Sequence, residues 1–205
     1  MRDLNIEKIN LELKDKSPEQ IIAWAIEVGK APLVTTNFRP YEVAILYACN
    51  QVEPDLKVIW CDTGYNTPQT YKHANELIHS LGLNVHLYVP QQTSAHRDSI
   101  MGIPQIEDPQ HAIFTEQVKL EPFNRAMKEH KPDVWFTNLR SGQTAFRNSI
   151  DIVSLSKDGV LKVSPFYNWS DAQLDAYLEQ NNLPNEFTYF DPTKVLSNRE
   201  CGLHS

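Results

Sequence analysis

Near the end of this 205-residue chain stands Arg199-Glu200-Cys201-Gly202-Leu203-His204. A thiol beside an arginine and a histidine has neighbours able to favour its thiolate, the form in which cysteine is a nucleophile. A frayed terminus that happens to carry a cysteine fits the same residues. Cys49 and Cys61 lie in apolar runs and read as buried thiols. The three cysteines are far apart, and there is no Cys-x-x-Cys, His-x-His or His-x-x-x-His, so no structural zinc, iron–sulfur cluster or disulfide framework is expected. The chemistry on offer is thiolate chemistry with no bound metal or cofactor.

A thiolate needs an electrophile, and two stretches suit an anionic one. Thr35-Thr36-Asn37-Phe38-Arg39 places hydroxyls, an amide and backbone N–H groups just before a helix start, an arrangement that cradles anions. It has neither the Gly nor the Lys of a Walker A loop, and an ordinary loop and cap would look similar. Arg140-Ser141-Gly142-Gln143-Thr144-Ala145-Phe146-Arg147 offers two arginines whose planar forks can grip phosphates, or can simply face solvent. Lys119 and Arg125 add to the same positive region or lie on a solvated face. Asp62-Thr63-Gly64-Tyr65 can hold a nucleoside, with Gly64 permitting close approach and Tyr65 stacking; alternatively Asp62 only caps a turn. Trp169 reads as packing.

The elements that must position these groups follow from periodicity and punctuation. Leu4 to Lys14 reads as a helix. Ser17-Pro18-Glu19-Gln20 opens another that ends at Gly29. Pro32–Thr36, Lys57–Cys61, Val85–Val89 and Asp133–Thr137 read as short buried strands. Helices are expected from Pro40, from Pro68 to Leu81-Gly82, from Pro122 to His130, and from Ser170 through Leu178, while residues 91–112 read as irregular. Ile152–Leu155 and Val160–Val163 flank Asp158-Gly159, a hairpin turn. No regular element is expected beyond Leu183-Pro184. Strands alternating with amphipathic helices imply an α/β fold with a mostly parallel, twisted sheet and helices on both faces. Ligands in such folds bind beyond the carboxyl ends of the strands, here the loops 35–40, 61–68 and 137–147.

Composition narrows the partners. Nineteen Lys+Arg against twenty-six Asp+Glu, a net charge of −7, argue against nucleic acid while leaving room for a small anion in a locally basic pocket. No run of 18 apolar residues spans a membrane, and the first residues lack a signal-peptide core, so a cytoplasmic protein is expected. We expect one domain over residues 1–205, with 185–205 as a mobile catalytic tail.

Six stretches, in order, resemble the phosphoadenylyl-sulfate (PAPS) reductase family from about Ser17 to the end. Thr35-Thr36-Asn37-Phe38 resembles its Ser/Thr-rich phosphate loop, and Asp62-Thr63-Gly64-Tyr65 with Pro68, Thr70 and Tyr71 its DTGxxxPETY segment. Lys119-Leu120-Glu121-Pro122-Phe123-Asn124-Arg125-Ala126 is similar to KxEPMNRAL, and Leu139-Arg140 with Gln143 and Arg147 to LRxxQxxxR. Lys162-Val163-Ser164-Pro165 with Trp169 resembles KVxPxxxW, and Arg199–His204 closes the set. The resemblance implies an adenine-nucleotide α-hydrolase-like fold and reduction of an activated sulfate to sulfite. Cys201 would attack the sulfonate sulfur, His204 would hydrogen-bond the sulfonate or the thiol, and thioredoxin (or glutaredoxin) would resolve the S-sulfocysteine. Thr35, Thr36, Asn37, Phe38, Asp62, Thr63, Gly64, Arg140, Gln143, Arg147 and Arg199 would bind the sulfonucleotide, offsetting its charge. A homodimer is a further implication. The chain departs from the family in Arg39, which stands where a Gly is common and would either supply charge in place of backbone access or leave that loop to bind differently, and in a shortened segment before the tail. The paired cysteines of the adenylyl-sulfate (APS) branch are missing, which favours PAPS. The alternatives are a cluster-free APS reductase, or another adenylate-cleaving enzyme on the same scaffold.

Overall fold

A computed structural model describes residues 4–142 and 147–193. Six strands form one sheet in the order β3-β2-β1-β4-β6-β5. They are β1 (Pro32–Thr36), β2 (Lys57–Cys61), β3 (Asn84–Tyr88), β4 (Val134–Phe136), β5 (Val153–Leu155) and β6 (Leu161–Val163). All neighbours pair in parallel except β5 with β6, the hairpin turned at Gly159, whose φ of +77° suits glycine. The fold is the expected α/β arrangement.

Alternation along the strands sorts the core onto two faces. Val34, Val58, Trp60, Phe136 and Val163 point to one side, where they pack with Ile21, Ile22 and Ala25 of α2 (Pro18–Val28), Val43–Leu46 of α3 (Glu42–Val52), Ala74 and Leu77 of α4 (Pro68–Leu81) and Leu174 and Leu178 of α8 (Asp171–Gln180). Leu33, Ile59 and Trp135 point to the other, against Phe123 and Ala126 of α7 (Glu121–His130). Ile21, Ile22 and Ile45 are essentially inaccessible, so each contributes about 1.5–3 kcal/mol of burial.

Helix starts follow their local signals. Ser17 and Gln20 form a reciprocal capping box on α2, Ser170 and Gln173 another on α8, and Thr67 caps α4 before Pro68. α1 spans Ile6–Leu13. The helix expected from Pro40 begins instead at Glu42, because Tyr41 adopts a left-handed conformation, φ 67°, that no helix continues through.

Residues 91–112 are not irregular. α5 (Ser94–Ile100), capped by Thr93, crosses this stretch, and α6 (Gln110–Thr115) starts within it. α6 passes through one wide turn, Glu116–Leu120, of the π type into α7. α5 has no apolar stripe to betray it: the residue it buries is Arg97, whose guanidinium bonds the Gln117 side chain (3.0 Å) and the Gln92 carbonyl (2.9 Å). Arg97 thereby fastens α5 to the π-type turn, the kind of helical irregularity that often marks functional sites. No described helix is long and apolar enough to cross a membrane.

Candidate active site

β1 turns to β2 on one side and has β4 on the other, so the loops leaving β1 and β4 diverge and open a crevice at their carboxyl ends. There Thr35, Thr36, Asn37, Arg39, Glu42, Cys61, Thr63, Asn66, Lys119, Phe123, Arg147, Tyr189 and Asp191 enclose a cavity of about 90 Å³. A larger groove, about 730 Å³, lies between α7 and the β5–β6 hairpin. It is away from the divergent loops, so position and chemistry favour the smaller one.

The cavity floor is the β1–α3 loop. Thr35 Oγ1 accepts from the Trp135 indole (2.9 Å), which fixes the end of β1 to β4. Thr36 Oγ1 and the Asn37 backbone N–H both donate to Glu42 (2.8 Å each). Phe38, expected to touch substrate, directs its side chain into the core, 1% exposed and edge-on to Trp60, so only its backbone can face a ligand. Arg39 donates to Glu42 (2.9 Å) and to the Asn138 carbonyl (3.3 Å).

On the β2 side, Thr63 reaches the cavity, whereas Asp62 serves its own turn. Asp62 accepts from Gly64 N, Asn66 and the Tyr71 hydroxyl. Gly64, at φ +80°, makes that turn possible. Burial, then the Asp62 charge, pushes the Tyr71 hydroxyl far up, so it stays a donor.

The two arginines of the β4 loop part company. Arg147 lines the cavity and is buried. Arg140 is buried away from it, paired with Asp171 (2.6 Å), bonded to the Trp169 carbonyl and stacked over Tyr41. Trp169 packs as expected, against Phe166 and Tyr177. Gln143, Arg199, Cys201 and His204 lie outside the described residues.

Lys119, which the sequence leaves open between the positive region and a solvated face, takes the first of these places. The π-type turn aims it into the cavity, where it is 5% exposed. It meets Asp191 at 2.5 Å and Thr193 at 3.3 Å. Burial drives the Asp191 carboxyl up, but the Lys119 charge and hydrogen bond and the Thr193 donors outweigh it and hold the group below its ordinary value. The described start of the expected 185–205 tail is thus docked at the site: Asn185 accepts from Tyr41 N, Thr188 O from Thr67, and Tyr189 meets Asn37. Residues 194–205 lie outside the described ones.

Both described thiols are held protonated. Burial pushes Cys49 far up. Cys61, which packs against the Leu33–Ile59–Trp135 face of the core and also lines the cavity, is pushed up to about 12 by burial despite the nearby Lys119 and Arg125. Neither is a nucleophile near neutral pH.

Comparison with known proteins gives this arrangement its family. Residues 31–191 match the phosphoadenosine phosphosulfate reductase domain. The chain is 34% identical over 185 residues to phosphoadenosine 5′-phosphosulfate reductase of Synechococcus, a match covering 88% of this chain and 78% of that protein. It is 33% identical over 190 residues to that of Klebsiella pneumoniae, covering 89% and 75%. The crystal structure of PAPS reductase from Candida auris in its phosphate complex shares the fold, with a TM-score of 0.79 at 24% identity over 90% of this chain and 89% of that one. An α/β sheet with a cation-lined crevice at its switch point, matched across most of its length by these relatives, makes this chain a member of the phosphoadenosine phosphosulfate reductase family of oxidoreductases.

Proposed function

We propose that this protein reduces 3′-phosphoadenylyl sulfate to sulfite and adenosine 3′,5′-bisphosphate through a covalent sulfonate on Cys201. The observation that carries this reading is the division of labour among cysteines. Cys49 and Cys61 are locked as thiols, while the cavity beside Cys61 gathers Lys119, Arg39 and Arg147 for an anionic substrate. The remaining cysteine, Cys201, has Arg199 and His204 beside it in sequence.

The Cys201 thiolate attacks the sulfonate sulfur. An S–S bond forms, the S–O bond to the nucleotide phosphate breaks, and adenosine 3′,5′-bisphosphate leaves with the bonding electrons. A thioredoxin (or glutaredoxin) thiolate then attacks the Cys201 sulfur and expels sulfite. Its second thiol closes the carrier's disulfide and returns Cys201 as a thiol, so the dithiol supplies both electrons. Lys119 and Arg147 offset the charge that develops on the leaving phosphate. Thr35 and Thr63 line the nucleotide's side of the cavity. A cavity of about 90 Å³ is far below the 300 Å³ or more of ordinary ligand pockets, so a nucleotide requires its lining, which includes Tyr189 and Asp191, to open. Dependence on a reduced dithiol suits the cytoplasm.

Intact mass spectrometry tests the reading. Reduced protein mixed with PAPS and no thioredoxin should gain about 80 Da, the mass of one SO₃ on a nucleophilic sulfur. The adduct should map to Cys201, be absent from Cys201→Ser, and disappear on adding thioredoxin. An adduct that survives in Cys201→Ser, or none from bound PAPS, refutes it. Faster labelling by APS would reassign the substrate.

A further inference from the structure

The β1–α3 loop is an anion cradle that the protein fills itself. Glu42, 6% exposed, accepts at one carboxylate oxygen from Thr36 Oγ1 and Asn37 N (2.8 Å each) and at the other from Arg39 Nε (2.9 Å). In the amide orientation that satisfies both its neighbours, Asn37 also donates its side-chain nitrogen to Glu42 (2.9 and 3.2 Å) and accepts from the Tyr189 hydroxyl (2.6 Å). A hydroxyl, a backbone N–H, an amide and a guanidinium around one carboxylate is the donor set that phosphate sites use. The loop holds it at a conformational cost, with Phe38 (φ 54°) and Tyr41 (φ 67°) both left-handed without being glycine, a strain that persists only where surroundings over-determine it.

We infer that Glu42 is an internal stand-in for a phosphate, and that Arg39, oriented by it, is the group that contacts the nucleotide's phosphate in this chain. The inference rests on the sulfonucleotide reading above. Thr36 and Asn37 spend their donors inward on Glu42, and the Phe38 N–H donates to Thr36 Oγ1 (3.0 Å), so the loop has little backbone to offer a ligand. Its guanidinium is different. Its bonds to Glu42 and to the Asn138 carbonyl help hold Arg39 between β1 and β4, on the cavity wall. Five N–H donors on a rigid fork suit a phosphate oxygen pair better than a lone ammonium does. Glu42 is therefore a positioning residue, and Arg39 is the substrate-contacting one.

This arrangement makes a prediction that a merely structural arginine does not. Removing Arg39 takes away a cation and also bares the Glu42 carboxylate to the cavity, where it repels an incoming phosphate. Neutralising Glu42 in the same chain removes that second harm. Calorimetric titration with adenosine 3′,5′-bisphosphate, and with adenosine as the uncharged control, reads both effects. Arg39→Ala should weaken bisphosphate binding about 50-fold, the scale of truncating one partner of a buried pair, and leave adenosine unchanged. Arg39→Ala with Glu42→Gln should regain about fivefold or more of that loss, since the bared charge is gone. Arg39→Lys, which keeps the charge and leaves Glu42 paired, should lose less than Arg39→Ala, and this comparison stands whether or not the Glu42 variant folds. A bisphosphate affinity within about twofold of wild type in Arg39→Ala, a proportional loss for adenosine, or a double variant no better than the single overturns the inference and leaves the proposed function standing. Wild-type protein that binds no adenosine phosphate at all overturns the proposed function, and this inference with it.

Discussion

Asp191 joins the end of the described chain to the centre of the site, and replacing it by Asn probes that connection. Its carboxylate accepts from Lys119 Nζ (2.5 Å), Thr193 N (3.0 Å) and Thr193 Oγ1 (2.7 Å). Both charged side chains are almost wholly buried, 6% exposed for Lys119 and 5% for Asp191. Solvent therefore screens this pair far less than a surface one. Coulomb attraction at this separation is several kcal/mol even at an effective dielectric of about 20, and desolvation of both ions takes back much of it. What counts is the cost of leaving one ion unpaired, about 3–5 kcal/mol for a buried pair. Asn keeps the shape and can still accept from Thr193, so about 3 kcal/mol is the expected loss. For a chain of this length that lowers the melting temperature by about 6–12 °C.

The assay is thermal unfolding at pH 7 of wild type, Asp191→Asn, Lys119→Met and the double variant. The double variant should be markedly more stable than the sum of the two losses predicts, with a coupling of about 2 kcal/mol or more. The sign with pH is fixed too. Asp191 is held below its unfolded value, so its contribution is complete above the ordinary carboxylate range and disappears as pH falls through the folded-state value. The gap between wild type and Asp191→Asn should hold steady above about pH 5 and narrow below about pH 4. A single-variant shift under about 2 °C, or additive losses, would refute the claim that this pair pins the segment to the site.

Two further perturbations test the scaffold. A Cβ on Gly29 would sit 2.6 Å from Val134 Cγ2 and 3.1 Å from the Ala25 carbonyl, so Gly29→Ala should cost about 1–3 kcal/mol by overpacking. Chemical denaturation should show less than the summed loss when Val134→Ala is added, and simple additivity would mean the clash is relieved elsewhere. His130, bonded through Nε2 to the Tyr88 hydroxyl (3.0 Å), is held below its ordinary value by burial, then by His86 and Lys57. A depressed histidine leaves the unfolded chain holding more protons as pH falls below about 6.5, so stability should decline from pH 7 toward 5.5. Denaturation midpoints of His130→Gln should decline less, and parallel slopes would remove His130 as a source.

The legible parts of the fold were those written locally. β1 and β2 stand at Pro32–Thr36 and Lys57–Cys61 as expected, and the capping boxes at Ser17 and Ser170 open helices where their spacing says they should. α5 was not legible because periodicity detects apolar stripes, and the side chain α5 buries is an arginine paid for by distant partners. The site divides along the same line. Thr35, Thr36, Thr63 and Arg147 follow from the rule that ligands sit beyond strand ends. Arg140 follows it equally well and is withdrawn by Asp171, which packs back from the start of α8. Lys119 stays open in the sequence between the positive region and a solvated face until Asp191 arrives from 72 positions away. No local spacing encodes that encounter.

Acids paired to the cations, some local and some distant in sequence, explain how a chain of net charge −7 can house an anion site. Among the described residues, Arg39, Lys119, Arg125 and Arg140 each have a carboxylate of their own: Glu42, Asp191, Glu121 and Asp171. Within the crevice Glu42 and Asp191 stand against Arg39, Lys119 and Arg147, so most of its positive charge is offset before substrate arrives and its attraction is short-ranged. Excess positive charge would draw in polyanions of every kind over a Debye length of about 8 Å or more. A site of paired cations instead favours the ligand whose phosphate can take over from a carboxylate, Asp191 at Lys119, while Glu42 keeps Arg39 in place. Selectivity then comes from the exchange of one anion for another of the right geometry, and the acids that seem out of place in an anion pocket are what enforce it.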